Sequence, residues 1–211
     1  FDPEYIRLLE HCSKLKALDL TPSFGVQGSI LPELPAMPEL RWLSVDCAAS
    51  EASVIDFIAG SPKLEALRLH RTGMSDAELT RLVTVLPELR WLEYKCSRKQ
   101  SEHATSKEQA NDPTLAVLAQ LPKLEMLYLS GGFQPPHSWE NGFEHLASMS
   151  QLRVLTVKES RKANDPALDQ LRAARPDLQI NPDSFIGLTN PVAYDWDISP
   201  SKFRVGDPPT E

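Results

Sequence analysis

The segment ELRWLSV at residues 39–45 returns almost unchanged as ELRWLEY at residues 88–94. A related segment, KLEALRL, lies between them at residues 63–69. Further copies are KLKALDL (14–20), KLEMLYL (123–129), QLRVLTV (151–157) and a shortened DLQI (177–180). Their first leucines are 24 to 35 residues apart. Regular recurrence at this period predicts a repeat architecture of about seven units.

Each unit combines a strand pattern with a helix pattern. The strand reads L-x-x-L-x-L, in which the last two apolar residues alternate as on a sheet with one buried face. The helix pattern is clearest at Leu79, Leu82, Val83 and Leu86, which follow i, i+3, i+4, i+7 spacing. No such unit buries its own apolar face, so the units are expected to stack.

The ends of the helices are also marked. Ser75 and Glu78 form a capping-box pattern, and Asp112-Pro113 and Asp165-Pro166 predict helix starts. A proline lies two residues before the first leucine of five strands, where we expect it to end the helix and hold the chain extended into the strand. These prolines are Pro38, Pro62, Pro87, Pro122 and Pro176.

On these motifs the sequence resembles the leucine-rich repeat family over about residues 1–180. The resemblance implies an α/β solenoid of about seven repeats, curved, with a parallel sheet on the concave face and helices on the convex face. The remaining residues, 181–211, contain five prolines and four aromatic residues and no repeat. We expect this tail to cap the last repeat; the alternative is a return along the concave face.

Cysteine after the strand indicates a subclass. Cys47 and Cys96 stand where many leucine-rich repeats have asparagine, and residues 73–82, GMSDAELTRL, are similar to the cysteine-containing repeats. That subclass is common in F-box substrate receptors of cullin-type ubiquitin ligases. No F-box pattern occurs in these 211 residues, so the ligase role that the resemblance implies depends on an F-box upstream of Phe1, which would bind a cullin–RING adaptor. Further repeats are also expected upstream.

The composition limits the classes of partner that the chain is expected to bind. Lys and Arg total 22 against 29 Asp and Glu, a formal charge of −7, which argues against nucleic acid or anionic membrane as a partner through bulk charge. No apolar run approaches the ~20 residues of a membrane span. An odd cysteine count of 3 and no N-glycosylation sequon favour a reducing compartment, cytoplasmic or nuclear.

Motifs for catalysis are not found in the sequence. The five histidines show no metal-ligand spacing, and there is no phosphate-binding glycine loop or nucleophile elbow. We therefore expect no enzyme activity, no metal and no cofactor. A protein-interaction module is the leading interpretation, with the substrate-recognition part of an F-box-type receptor as its finer form. A structural scaffold subunit of a larger assembly is the alternative.

The strand register assigns a face to each tryptophan. Because alternate residues point to opposite faces, Leu40, Leu43 and Val45 face inward and Trp42 faces the concave side. Trp42 and Trp91 should lie about 10 Å apart with Ala66 between them, forming a slot for a partner's apolar side chain. The predicted protein-binding residues are Trp42, Asp46, Ala66, Arg68, His70, Trp91, Glu93, Lys95, Met126, Tyr128 and Lys158.

Two readings of this slot remain open. If a partner fills it, replacing Trp42 and Trp91 by alanine should abolish binding and leave folding nearly intact. In the second reading, a loop or the chain's own tail covers the rings.

Overall fold

A computed structural model describes residues 9–20, 34–46, 51–72, 74–96, 112–130, 142–157 and 166–180. The tail at 181–211, Cys47 and the N-terminal residues 1–8 lie outside the described residues, and so does the placement expected for the tail. Within these ranges lie seven strands: β1 Ala17–Asp19, β2 Trp42–Asp46, β3 Ala66–Thr72, β4 Trp91–Cys96, β5 Met126–Ser130, β6 Val154–Val157 and β7 Gln179–Ile180.

The strands form one sheet in the order of the sequence, and every neighbouring pair is parallel. The pairing begins one residue before each strand. Arg41 O, for example, accepts hydrogen bonds from the amides of both Glu65 (2.8 Å) and Ala66 (2.9 Å). The same double acceptance is made by Glu65 O, Arg90 O and Glu125 O toward the next strand. The repeat in the sequence is therefore a repeat in the backbone hydrogen bonds.

From β2 onward, a described helix connects each strand to the next, as is usual between parallel strands. These helices are α1 Glu51–Ala59, α2 Asp76–Thr84, α3 Asp112–Leu118, α4 Phe143–Ala147 and α5 Pro166–Ala174. Helix α2 begins as the sequence predicts: the Ser75 hydroxyl accepts from Glu78 N, and the Glu78 carboxylate accepts from Ser75 N, completing the capping box. Pro166 is the first residue of α5, which also matches the prediction.

The main core lies between the helices and one face of the sheet. Leu43, Leu67, Leu92 and Leu127 of the strands are 0 % exposed and pack with the apolar residues of the helices. Leu79, Leu82 and Val83 of α2 are buried in the same core, as their spacing predicts, and so is Leu86, two residues past the end of the helix. This strand order and layering confirm the predicted fold, a leucine-rich repeat solenoid.

The prolines before the strands occupy tight turns, which differs from the extended path expected. Leu64 N donates to Ser61 O (3.1 Å) across Pro62 and Lys63, and Leu40 N donates to Met37 O (3.0 Å) across Pro38 and Glu39. Proline is favoured at the second position of such a β-turn because its fixed φ suits that position. The chain turns instead of extending because proline takes the second position of each turn and the charged residue after it, Lys63 or Glu39, takes the third.

Candidate protein-binding face

The sheet face turned away from the helices, here called the outer face, contains the predicted binding residues. Its first row runs across the strands in register as Ala17, Trp42, Ala66, Trp91, Met126, Val154 and Gln179. Its second row is Asp19, Ser44, Arg68, Glu93, Tyr128 and Thr156. Both rows agree with the columns that strand alternation predicts.

Trp42, Ala66 and Trp91 form a cluster of their own, the tryptophan cluster, separate from the main core. Ala17 and Met126 pack against it at its two sides. Trp42 is 2 % exposed and Trp91 is 4 % exposed, so the rings do not border the open slot that their register alone indicates. Alternation assigns a side chain to a face, but only the rest of the chain decides whether that face is covered.

An ion pair lies beside the cluster in the second row. Arg68 Nε donates to Glu93 Oε2 at 2.8 Å, and the two side chains are only 11 % and 10 % exposed. Ser44, on the strand next to Arg68, is 0 % exposed. A buried carboxylate is strongly disfavoured without a partner, so the two charges depend on each other. The sequence predicted both residues for this face but did not predict their pairing.

The third row is interrupted. Asp46 is in register with His70, and Lys95 with Ser130, but the register between β3 and β4 shifts after Leu69. One extra residue in β3 therefore separates His70 from the Lys95 position expected beside it, as in a β-bulge. The side chain of Asp46 and the whole of Lys158 are outside the described residues.

The other predicted binding residues differ in their exposure to solvent. Lys95 is exposed, whereas Met126, Tyr128 and His70 are half-buried. Within the described part of the chain, Trp42 Nε1, Ser130 Oγ and Thr156 Oγ1 of this face are buried and make no hydrogen bond. A buried polar group without a hydrogen bond costs about 1–3 kcal/mol.

Two rows of ion pairs were missed by the sequence reasoning. At the start of the strands, Lys63 Nζ donates to Glu39 (2.6 Å) and Lys123 Nζ donates to Glu88 (2.6 Å). One residue past the first leucine, Arg41 pairs with Glu65 (3.4 Å) and Arg90 with Glu125 (2.6 Å). The sequence contains the pattern that predicts these pairs. PELRWL has Glu and Arg at the two positions where PKLEAL has Lys and Glu, so the charge at both positions reverses from one unit to the next. Each pair joins two neighbouring repeats across adjacent strands.

Ion pairing shifts the pKa values of two acids. The hydrogen bond from Lys63 lowers the pKa of Glu39, and that from Arg175 lowers the pKa of Asp177. Arg175 is only 11 % exposed, and its guanidinium also donates to Met149 O (2.6 Å) and Leu152 O (2.9 Å). The hydrogen bond with Asp177 raises the pKa of Arg175. Arg175 thus joins the last described repeat to the one before it.

A shallow pocket of about 440 Å³ lies at the strand-start edge. Its lining is polar and includes both members of two of these ion pairs, Arg90 with Glu125 and Lys123 with Glu88. Across the described ranges no three His, Cys, Asp or Glu side chains are grouped as metal ligands. Among the helices of those ranges, none has the length and apolar character to span a membrane.

Comparisons with known proteins found only distant structural similarity. No protein-family model matches the chain, and no curated protein matches it. Similar solved structures include a TLR13–ssRNA13 complex, at 16% identity and TM-score 0.48, covering 82% of this chain. Another is a tropomodulin C-terminal domain from Caenorhabditis elegans, at 15% identity and TM-score 0.46, covering 83% of this chain.

The two similar structures differ in extent. This chain spans 22% of the TLR13 chain and 99% of the tropomodulin domain. With both TM-scores below 0.5, nothing about the function of either protein transfers to this chain. The fold class stands on the parallel strand order and the leucine register of the chain itself.

Proposed function

We propose that this chain is a protein-interaction module whose binding surface is the outer face. The observation that supports this is the tryptophan cluster. The helix-side core is complete without it, since Leu43, Leu67 and Leu92 are already fully buried on the other face. Other units build the same strand with Ala17, Ala66 or Val154 in the first row, so the repeat pattern itself does not require tryptophan at this position. Tryptophan is enriched at binding hot spots, which supports a binding surface at this face.

The chemistry of the face favours a protein partner. Apolar rings lie next to a buried Arg68–Glu93 pair and an exposed Lys95, which is the combination of an apolar centre with a polar surround found in protein interfaces. An acidic residue of a partner segment would match the exposed Lys95. The proposed role is binding, without catalysis.

The experiment uses a charge reversal on the face and a matched one away from it. Lys95→Glu changes an exposed residue of the outer face, and Lys14→Glu makes the same change at an exposed position three residues before β1. Both should fold normally, because surface substitutions usually alter stability by less than about 0.5 kcal/mol. The chain is immobilised and the proteins retained from a cell extract are quantified by mass spectrometry. Lys95→Glu should lose retained proteins that Lys14→Glu keeps; equal retention by both variants would contradict the proposal.

Within this class we propose the substrate-recognition part of an F-box-type receptor as the finer function. Support comes from residues 73–82, where Ser75 forms the capping box and Leu79 is buried, as in the resemblance to cysteine-containing repeats. Co-purification of the full-length protein with a cullin–RING adaptor tests it. A complex of fixed stoichiometry without that adaptor would instead favour the scaffold alternative.

A further inference from the structure

The charged residues at the strand-start edge form two rows with a regular pattern. One row, the leading row, lies one residue before the first leucine of each unit, and the other, the trailing row, lies one residue after it. From β2 to β5 the leading row reads Glu39, Lys63, Glu88 and Lys123, and the trailing row reads Arg41, Glu65, Arg90 and Glu125. The sign of the charge therefore alternates along each row and is opposite between the two rows of every unit. These residues are here called the charge checkerboard.

Opposite charges of the checkerboard meet across adjacent strands. Between the units of β2 and β3, Lys63 Nζ lies 2.6 Å from Glu39. In the trailing row of the same units, Arg41 lies 3.4 Å from Glu65. Both rows are also paired between the units of β4 and β5, at 2.6 Å in each row. The units of β3 and β4 have the same opposite signs in register, since Glu65 O accepts from Arg90 N. Each pair is partly exposed and stabilises little by itself, so the effect of the checkerboard is the sum over its interfaces.

The alternation of inward and outward side chains does not by itself decide the register between two strands. A shift by one residue would turn the inward leucines to the outer face and is strongly disfavoured, but a shift by two residues keeps every side chain on its own face. A shift by two in one direction would place Glu39 beside Glu65, and in the other direction it would place Arg41 beside Lys63. The other two interfaces of the checkerboard behave in the same way, because each two-residue shift there also brings like charges together. The charges therefore disfavour the arrangements that face alternation tolerates.

The same charges disfavour a wrong order of the strands. If β2 paired with β4 and omitted β3, Glu39 would lie beside Glu88 and Arg41 beside Arg90, so both rows would repel. We propose that the charge checkerboard selects the native neighbour and the native register of the strands from β2 to β5. It is a conformational device built into the repeat, and it does not depend on whether the outer face binds a partner.

A cycle of charge reversals in two neighbouring units tests the proposal. The β3-reversed chain carries Lys63→Glu with Glu65→Lys, and the β2-reversed chain carries Glu39→Lys with Arg41→Glu. Both keep the net charge, and a doubly reversed chain combines all four changes. Reversal of β3 alone brings like charges together at its interfaces with both β2 and β4. Reversal of both units restores opposite charges between β2 and β3 and leaves like charges only between β3 and β4.

The doubly reversed chain should therefore have a higher urea midpoint than the β3-reversed chain, although it carries twice as many substitutions. If each side chain acted independently of its neighbours, the losses would add, and the doubly reversed chain would have the lowest midpoint of all. That order of midpoints would overturn the proposal. Should the β3-reversed chain not fold at all, recovery of its far-UV circular dichroism spectrum in the doubly reversed chain is the same test.

Salt separates charge from packing in this cycle. In about 1 M NaCl the Debye length falls to about 3 Å, so the differences in midpoint among the four chains should shrink. Differences of the same size at low and high salt would show that packing and not charge is responsible, and would refute the proposal.

A pair of introduced cysteines reports the register directly. Ser44 is in register with Arg68, so Ala66 lies two residues further back on β3, roughly 8 Å from Ser44 and beyond the reach of a disulfide. The shift that brings Arg41 beside residue 63 also brings residues 44 and 66 side by side, and the β3 reversal makes that contact attractive. In a background without the natural cysteines, Ser44→Cys with Ala66→Cys should form a disulfide during oxidative refolding of the β3-reversed chain. It should not form in the otherwise unchanged chain or in the doubly reversed chain. Equal yields in the three chains, or none in the β3-reversed chain, would refute the role of the checkerboard in setting the register.

Discussion

Replacing Trp42 by alanine should destabilise the fold substantially, in contrast to the nearly intact folding expected from the sequence alone. A tryptophan side chain buries roughly 150–250 Å², which at about 25 cal/mol per Å² corresponds to about 4–6 kcal/mol. Residual burial in the unfolded chain reduces this by roughly 10–40 %, to about 2–5 kcal/mol, which overlaps the range of about 3–5 kcal/mol typical of Trp→Ala in protein cores. Because Ala17 and Ala66 flank the ring, no large side chain of that row collapses into the space.

The assay is urea unfolding followed by far-UV circular dichroism, with the midpoint and the slope both fitted. A loss of about 3–5 kcal/mol is a large part of the 5–15 kcal/mol that stabilises a typical domain, so the midpoint should fall sharply. Trp42→Phe keeps most of the apolar volume and should lose less than half as much. Met126→Ala, at the half-buried side of the cluster, is the matched control and should lose less than Trp42→Ala. A loss below about 1 kcal/mol for Trp42→Ala, within the scatter of ordinary point mutations, would show that the ring is exposed in solution.

Three further predictions concern charges and caps. Glu93→Ala should cost about 3–5 kcal/mol in urea unfolding because it removes the carboxylate that pairs with the largely buried Arg68 guanidinium, whereas Arg68→Met with Glu93→Leu should be close to neutral; equal losses would contradict the pairing. Ser75→Ala removes the cap of α2 and should lower stability by about 1 kcal/mol, with Ser75→Asp retaining most of it. The pKa of Asp177 is lowered by Arg175, so its stabilisation is present above the ordinary value of 3.8 and is lost as pH falls through the lowered value. The difference in thermal midpoint between wild type and Asp177→Asn should therefore vanish in strong acid, and a difference that grows there would refute this sign.

Much of the fold follows from local pattern. The leucines of L-x-x-L-x-L determine which strand face meets the helices, and this pattern alone placed Leu43 and Leu67 in the core. The capping box at Ser75 and Glu78 involves only four consecutive residues, so it too could be predicted from the sequence. The alternating charges at Glu39 and Lys63 were equally readable, since neighbouring units form neighbouring strands.

Other features depend on contacts between distant parts of the chain. The sequence assigned Trp42 and Trp91 to the outer face, but strand alternation carries no information on what lies above a face, and only the tertiary structure shows the rings as buried. The register shift after Leu69 likewise results from the pairing of β3 with β4, which no single unit specifies. Burial is a property of the whole folded chain, so the repeat determined where the tryptophans point and tertiary packing decided that they are covered.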